Sequence, residues 1–299
     1  MVSNKLILSV LLFFTIFFLS CASGHKAMFP GTQPLVRDIS SVSARLLKAT
    51  SSSQLSMKVL GEVEYGKYKV PIWVVTFTPV KETKYRVFLN GGVHGNEPAG
   101  AELMVETIEM LAKDPKKYEN ISFDIVPIVN PWGWSHNIRF NQEGRDINRD
   151  FVSFKAQESM IIKKFIEGKS YDLMTDHHED PSGKGFYIYQ YGNPDTTLSR
   201  RVIEAERGSG YPIEQDVSMI ILKTKDGLID APMWGIWYMK ATRQLSLSNY
   251  ARLYNSKKVY TLETPTILDL KDRLRMHQMA LEILIDSLYQ SELRSALRD

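Results

Sequence analysis

Three short segments of the chain carry side chains of the kinds that bind metals and move protons. In Gly91-Gly92-Val93-His94-Gly95-Asn96-Glu97-Pro98, an imidazole and a carboxylate stand three residues apart on a glycine-rich turn, a spacing that lets both reach one ion. Histidine nitrogen and carboxylate oxygen suit zinc, with bonds of about 2.0–2.2 Å. An H-x-x-E pair describes a structural histidine beside a helix-capping carboxylate equally well, so a third ligand is required. The segment Asp172-Leu173-Met174-Thr175-Asp176-His177-His178-Glu179-Asp180 offers one. Two histidines and one glutamate give a catalytic zinc three protein ligands and leave a fourth position for water. Neighbouring strand residues face opposite ways, so only one of His177 and His178 is expected at the metal. A further carboxylate, Glu263, ends Val259-Tyr260-Thr261-Leu262-Glu263, where its plain reading is a solvated acid at a strand end.

Such residues need a scaffold that brings distant segments together. Apolar runs rich in β-branched and aromatic residues predict strands at 70–78, 85–89, 123–129, 173–176, 185–191 and 259–262. Helical spacing predicts helices at 99–111, 157–166, 198–207 and 270–289. This alternation predicts a single α/β domain, with a central mixed, mostly parallel twisted sheet flanked by helices on both faces. Ligands in such folds gather at the carboxyl ends of strands.

The N-terminus reads as an export signal. Lys5 precedes a 14-residue run of apolar or small residues from Leu6 to Leu19, followed by Ser20-Cys21-Ala22-Ser23-Gly24. The run is shorter than the roughly 20 residues a membrane-spanning helix needs. Phe18-Leu19-Ser20-Cys21 resembles a bacterial lipobox, which makes Cys21 the expected lipid attachment point; ordinary cleavage near Ala22 is the alternative. Cys21 is the only cysteine, so no disulfide forms within one chain. The expected organisation is a signal peptide over 1–20, a lipid-anchored flexible tether over 21–56 in which Arg37 to Lys48 could form a short helix, and a zinc hydrolase domain over 57–299. The expected location is the cell envelope, anchored to a bacterial membrane on its periplasmic or extracellular face. Loss of residues 1–20 removes one charge, Lys5, and takes the formal balance from +3 to +2. That is no nucleic-acid signature.

Taken together these motifs resemble the zinc carboxypeptidase family and, more distantly, the succinylglutamate desuccinylase and aspartoacylase group. The family's H-x-x-E is matched by His94 and Glu97, its late histidine by His178 after Asp176, and its T-x-E strand end by Thr261-Leu262-Glu263. The most specific match is the R-x-N-x-x-G-x-D-x-N-R-x-F pattern from Arg139 to Phe151. The resemblance implies one zinc per chain held by His94, Glu97 and His178, with Glu263 as general base. It implies that Arg139 polarises the scissile carbonyl and that Asn148 and Arg149 grip a substrate carboxylate. The implied substrate is a peptide, including cell-wall stem peptides, or an acyl-amino acid with a free carboxylate. Tyr238, Tyr250 and Tyr254 are the tyrosines available to cap the site.

Two other functions compete. An N-acyl amino acid deacylase of the desuccinylase type would use the same metal set on a different acyl group. A non-catalytic substrate-binding lipoprotein would keep the fold but tolerate loss of Glu263 or a ligand, and neither is lost. The run Trp234-Gly235-Ile236-Trp237-Tyr238 is expected to be core or pocket wall.

Overall fold

The computed structural model describes residues 33–215, 218–219 and 222–296. The expected signal peptide and Cys21 lie outside the described residues. The chain order is α1 (Ile39–Ala49), β1 (Leu55–Tyr65), β2 (Tyr68–Phe77), β3 (Tyr85–Gly91), α2 (Pro98–Lys113), β4 (Ile121–Val126) and α3 (Pro131–His136). It continues with α4 (Gln157–Ile166), β5 (Tyr171–Asp180), β6 (Tyr187–Tyr191), α5 (Thr197–Gly208), β7 (Ser218–Met219), β8 (Leu222–Lys223) and β9 (Leu228–Ala231). The last elements are α6 (Met233–Ala241), α7 (Leu247–Tyr254), β10 (Ser256–Pro265) and α8 (Leu270–Ala296).

Eight strands form one mixed sheet in the order β1-β2-β4-β3-β5-β10-β6-β9. The centre is parallel, with β3 flanked by β4 and β5, and β5 paired with β10. Alternating residues divide the core in two. Val87, Leu89 and Leu173 pack on one side with Val42 and Leu46 of α1, Met104 and Ile108 of α2, and Leu281 and Leu284 of α8. Phe88 and Met174 face the other side with Ile162 and Ile166 of α4 and Leu247 and Ala251 of α7. A strand buried on both faces reads as a near-continuous apolar run, which is why β3 and β5 were visible in the sequence.

The tether expected over 21–56 needs correction. Residues 39–49 form a helix whose Val42, Leu46 and Ala49 are buried in the core, and β1 begins at Leu55. The apolar spacing at positions 42, 46 and 49 is that of one helix face, and burying it offsets the entropy of ordering the segment. The aromatic run at 234–238 also differs from expectation. It lies in α6, where only Ile236 is buried and Trp234 and Trp237 are more than half exposed.

Candidate metal centre

The first ligand turn sits between β3 and α2 and is shaped by backbone contact. Gly95 lies so close to Gly133 that a Cβ would collide with its carbonyl, and Gly100 meets the carbonyl of His177 in the same way. Glu97 occupies the N-cap position of α2, yet its side chain makes no capping bond. Glu179 takes that task, accepting from the backbone N–H of Ala99 and pairing with Arg273 of α8. The Glu97 carboxylate is thereby released to face the histidines.

Both imidazoles meet it through Nδ1. His94 Nδ1 lies 2.7 Å from Glu97 Oε1, and His178 Nδ1 lies 2.7 Å from Glu97 Oε2. The Nε2 atoms are each backed by a carboxylate, Asp146 at 3.1 Å behind His94 and Asp176 at 3.2 Å behind His178. Such partners fix the tautomer and aim of a metal-binding imidazole. His94, Glu97 and His178 are all buried, and one ligand atom from each falls within 4.8 Å of the others.

The electrostatics match a cation site. Burial works against the Glu97 charge, but His94 and His178 outweigh it and hold the carboxyl far below its ordinary range. Burial likewise opposes protonation of His178, and Asp176 and Glu97 overcome it. A divalent cation placed among these atoms would supply positive charge beside the Glu97 carboxylate. The nitrogen and oxygen donors therefore fit zinc.

Strand register decides between the adjacent histidines. His178, Asp176 and Asp180 share one face of β5, and their partners on β10 are Glu263, Thr261 and Pro265. His177 and Glu179 point to the opposite face. His177 Nδ1 there lies 3.2 Å from His277 Nδ1 of α8, and burial keeps the His177 imidazole well below its ordinary pKa.

Glu263 is brought beside the site, half-buried, on the same face as His178. Its carboxylate makes no hydrogen bond or ion pair among the described residues. Burial and the nearby carboxylates of Glu97, Asp180 and Asp176 push its carboxyl up to about 8, with His178 pulling the other way.

The loop from Arg139 to Arg149 closes over the opposite side. Arg139 reaches Glu97 Oε1 at 3.2 Å and Asp146 Oδ2 at 3.0 Å. Asp146 Oδ1 accepts from the backbone N–H of Asn148 at 3.0 Å, starting a short 3-10 turn over Ile147–Arg149. Asn148 is already engaged, its Oδ1 accepting from Leu247 N and its Nδ2 lying 3.2 Å from His178 Nε2. Arg149 is half-buried and donates to the carbonyl of Asn148 at 2.7 Å. No carboxylate pairs with it among the described residues.

Three tyrosines missed in the sequence line this face. Tyr187 and Tyr189 of β6 are opposite Glu263 and Thr261, and Tyr191 lies two residues further along the same side. Tyr189 and Tyr191 are stacked at 6.1 Å, Tyr187 donates to Asp180 at 2.8 Å, and Tyr191 meets Thr261 at 3.0 Å. The period-2 aromatic pattern of Tyr187-Ile188-Tyr189-Gln190-Tyr191 was the available signal. Of the three tyrosines expected as caps, Tyr250 packs against Phe151 and Phe154, while Tyr238 and Tyr254 are exposed.

Comparison with known proteins agrees with this geometry. The succinylglutamate desuccinylase/aspartoacylase catalytic domain matches residues 83–213, which include the His94 turn, the Arg139–Arg149 loop and β5. Carboxypeptidase 2 of Trichophyton tonsurans is 36% identical over 107 residues, covering 34% of this chain and 20% of that protein. The chain thus spans about a fifth of the length of the curated relatives it matches. A candidate metallopeptidase from Shewanella amazonensis superposes with a TM-score of 0.68 at 21% identity, over 84% of this chain and 93% of that one. A metallo-carboxypeptidase from Burkholderia cenocepacia gives 0.61 at 20% identity, over 85% and 70%. The fold is thus that of the metallocarboxypeptidases, and residues 83–213 are similar to the desuccinylase/aspartoacylase catalytic domain.

Proposed function

We propose that the chain is an exported zinc metallocarboxypeptidase that hydrolyses an amide bond next to a free carboxylate, in peptides that include cell-wall stem peptides. The observation that carries this reading is the half-buried Arg149 guanidinium, without a carboxylate partner among the described residues, on the loop that also brings Arg139 and Asp146 to His94 and Glu97. A desolvated guanidinium is costly unless an anion fills its fork, so the pocket favours a substrate that carries one.

His94, Glu97 and His178 would hold one zinc ion per chain. Zinc supplies Lewis-acid polarisation of the scissile carbonyl and lowers the pKa of a water toward 7. Glu263, with its raised proton affinity, takes the proton of the attacking water and passes it to the leaving nitrogen. A base poised near neutrality is suited to both halves of that transfer. Arg139 donates to the developing oxyanion, where a preorganised donor contributes about 3–4 kcal/mol. Arg149 anchors the carboxylate, and Asn148 holds its own loop against Leu247 while bordering His178.

A second reading is favoured by one finding, the match of residues 83–213 to the desuccinylase/aspartoacylase domain. It keeps the metal and the carboxylate anchor and exchanges the peptide for an N-acyl amino acid. Hydrolysis of a short peptide and of an N-acyl amino acid, each with its carboxylate free or amidated, tests both. Amidation should lower kcat/KM about a hundredfold, on the order of 3 kcal/mol, and Arg149→Ala should flatten that preference. Equal cleavage of free and amidated peptides by the wild-type protein discards the anchor.

Membrane attachment through Cys21 is the proposed localisation, supported by Lys5, the apolar run to Leu19 and the lone cysteine. Among the described residues no helix is long and apolar enough to cross a membrane.

A further inference from the structure

The loop that carries Arg139, Asp146, Asn148 and Arg149 turns on a residue with no task at the metal or the substrate. Asn141 is fully buried and all its polar groups are used. Its Nδ2 donates to the Tyr65 hydroxyl at 2.9 Å and to Glu158 Oε2 at 3.2 Å. Its Oδ1 accepts from Arg145 N at 2.9 Å, its own N–H donates to the Arg145 carbonyl at 3.1 Å, and its carbonyl accepts from Gly144 N at 2.9 Å. The chain between Asn141 and Arg145 is thereby closed into a ring, and Gly144 provides the positive φ that the reversal needs.

The ring is pinned from below. Tyr65 ends β1 and donates to Glu158 Oε1 at 2.5 Å, and Glu158 lies in the first turn of α4 with no exposed surface. Burial raises the Glu158 carboxyl, while Tyr65 and Asn141 pull it back. Asn141, Tyr65 and Glu158 thus form one buried network joining the loop to a strand and a helix. Arg139 leaves one side of the ring and Asp146 the other, and they meet at 3.0 Å directly over His94 and Glu97.

We infer that Asn141, held by Tyr65 and Glu158, is a positioning residue that sets the approach of Arg139 and Asp146 to the His94–Glu97 pair. The inference rests on the proposed function for its consequence in catalysis, and on the geometry alone for its consequence in the loop. A buried network with every member satisfied is rigid, and removing one donor leaves a buried carboxylate oxygen unpaired. The first effect should be release of residues 139–149, ahead of any loss of the sheet.

Three variants test this, Asn141→Ser, Tyr65→Phe and Glu158→Gln, the last two removing a single hydroxyl or charge in case the first does not fold. Amide hydrogen exchange on metal-free protein should accelerate at least tenfold over residues 139–149 and stay unchanged in β3 and β5. Competition for zinc against a chromophoric chelator should show affinity lowered about tenfold or more, because Asp146 no longer holds His94. Turnover of a peptide with a free carboxylate should fall mainly in kcat, with Glu158→Gln retaining more activity than Asn141→Ser. Exchange that rises evenly across the fold, or a lowered melting temperature with zinc affinity and kcat unchanged, overturns the inference. Wild-type protein that binds no zinc overturns the proposed function instead, and the exchange measurement still decides the role of Asn141.

Discussion

Asp146 Oδ1 stands 3.1 Å behind Nε2 of His94, while the other nitrogen of that ring faces Glu97 at 2.7 Å. The same carboxylate receives Arg139 through Oδ2, so one side chain orients both an expected ligand and an expected oxyanion donor. Asp146→Asn should therefore weaken zinc binding 10- to 100-fold and lower kcat together with it. Chelator competition measures the first effect, and wild-type affinity in that variant would remove Asp146 from the site.

Glu263→Gln separates proton transfer from metal binding. The variant keeps the shape of the side chain and loses its ability to take a proton. Zinc content should remain one per chain, KM should change little, and kcat should fall by about 10²–10⁴-fold. Retention of near-wild-type turnover assigns the base elsewhere.

Glu206 gives a prediction about stability. It is fully buried in α5, both carboxylate oxygens lack a partner among the described residues, and burial pushes its carboxyl from 4.5 up to about 9. Below pH 4.5 the group is protonated in both folded and unfolded chains and adds no pH-dependent cost. As the pH rises toward 9 only the unfolded chain ionises, so folding stability falls, by about 3 kcal/mol at pH 7. Glu206→Met should raise the melting temperature at pH 8 and flatten its decline between pH 5 and 8. A variant less stable than wild type at pH 8 contradicts the assignment.

Cys21→Ala tests the proposed anchor. Fractionation of cells expressing the full chain should find the variant in the soluble envelope fraction and the wild type with membranes. Unchanged partition of the variant points to an uncleaved apolar segment in place of a lipid.

Much of the site was legible because its chemistry is carried by short motifs on strand ends. His94 with Glu97 follows β3, His178 ends β5 and Glu263 ends β10, and each of those strands is apolar enough to read directly. His178 and not His177 faces Glu97 because β5 is paired on both sides, which makes its alternation strict. β1 was not visible, since Leu55–Tyr65 lies at the sheet edge and the register shift at Val59/Gly61, with Val59 exposed, breaks the period-2 pattern. The helix α1 was legible as a short helical stretch, while its docking into the core was hidden by the Ser-rich composition around it. The supporting carboxylates were hidden for a different reason. Asp146 and Asp176 were quoted within motifs, but their contacts with imidazoles from other segments depend on tertiary placement that no local pattern encodes.

The turn around His94 is built by backbone resting on backbone, at Gly95 against Gly133 and at Gly100 against His177. No side chain there can change rotamer to absorb an error, so even one added methyl must be accommodated by moving the chain. The region therefore has almost no mutational slack, whereas the wall formed by β6 meets its neighbours through side chains, Tyr187 at Asp180 and Tyr191 at Thr261, where a substitution can repack. Diversification of what the protein accepts has a path open along that wall and a closed door at the metal turn.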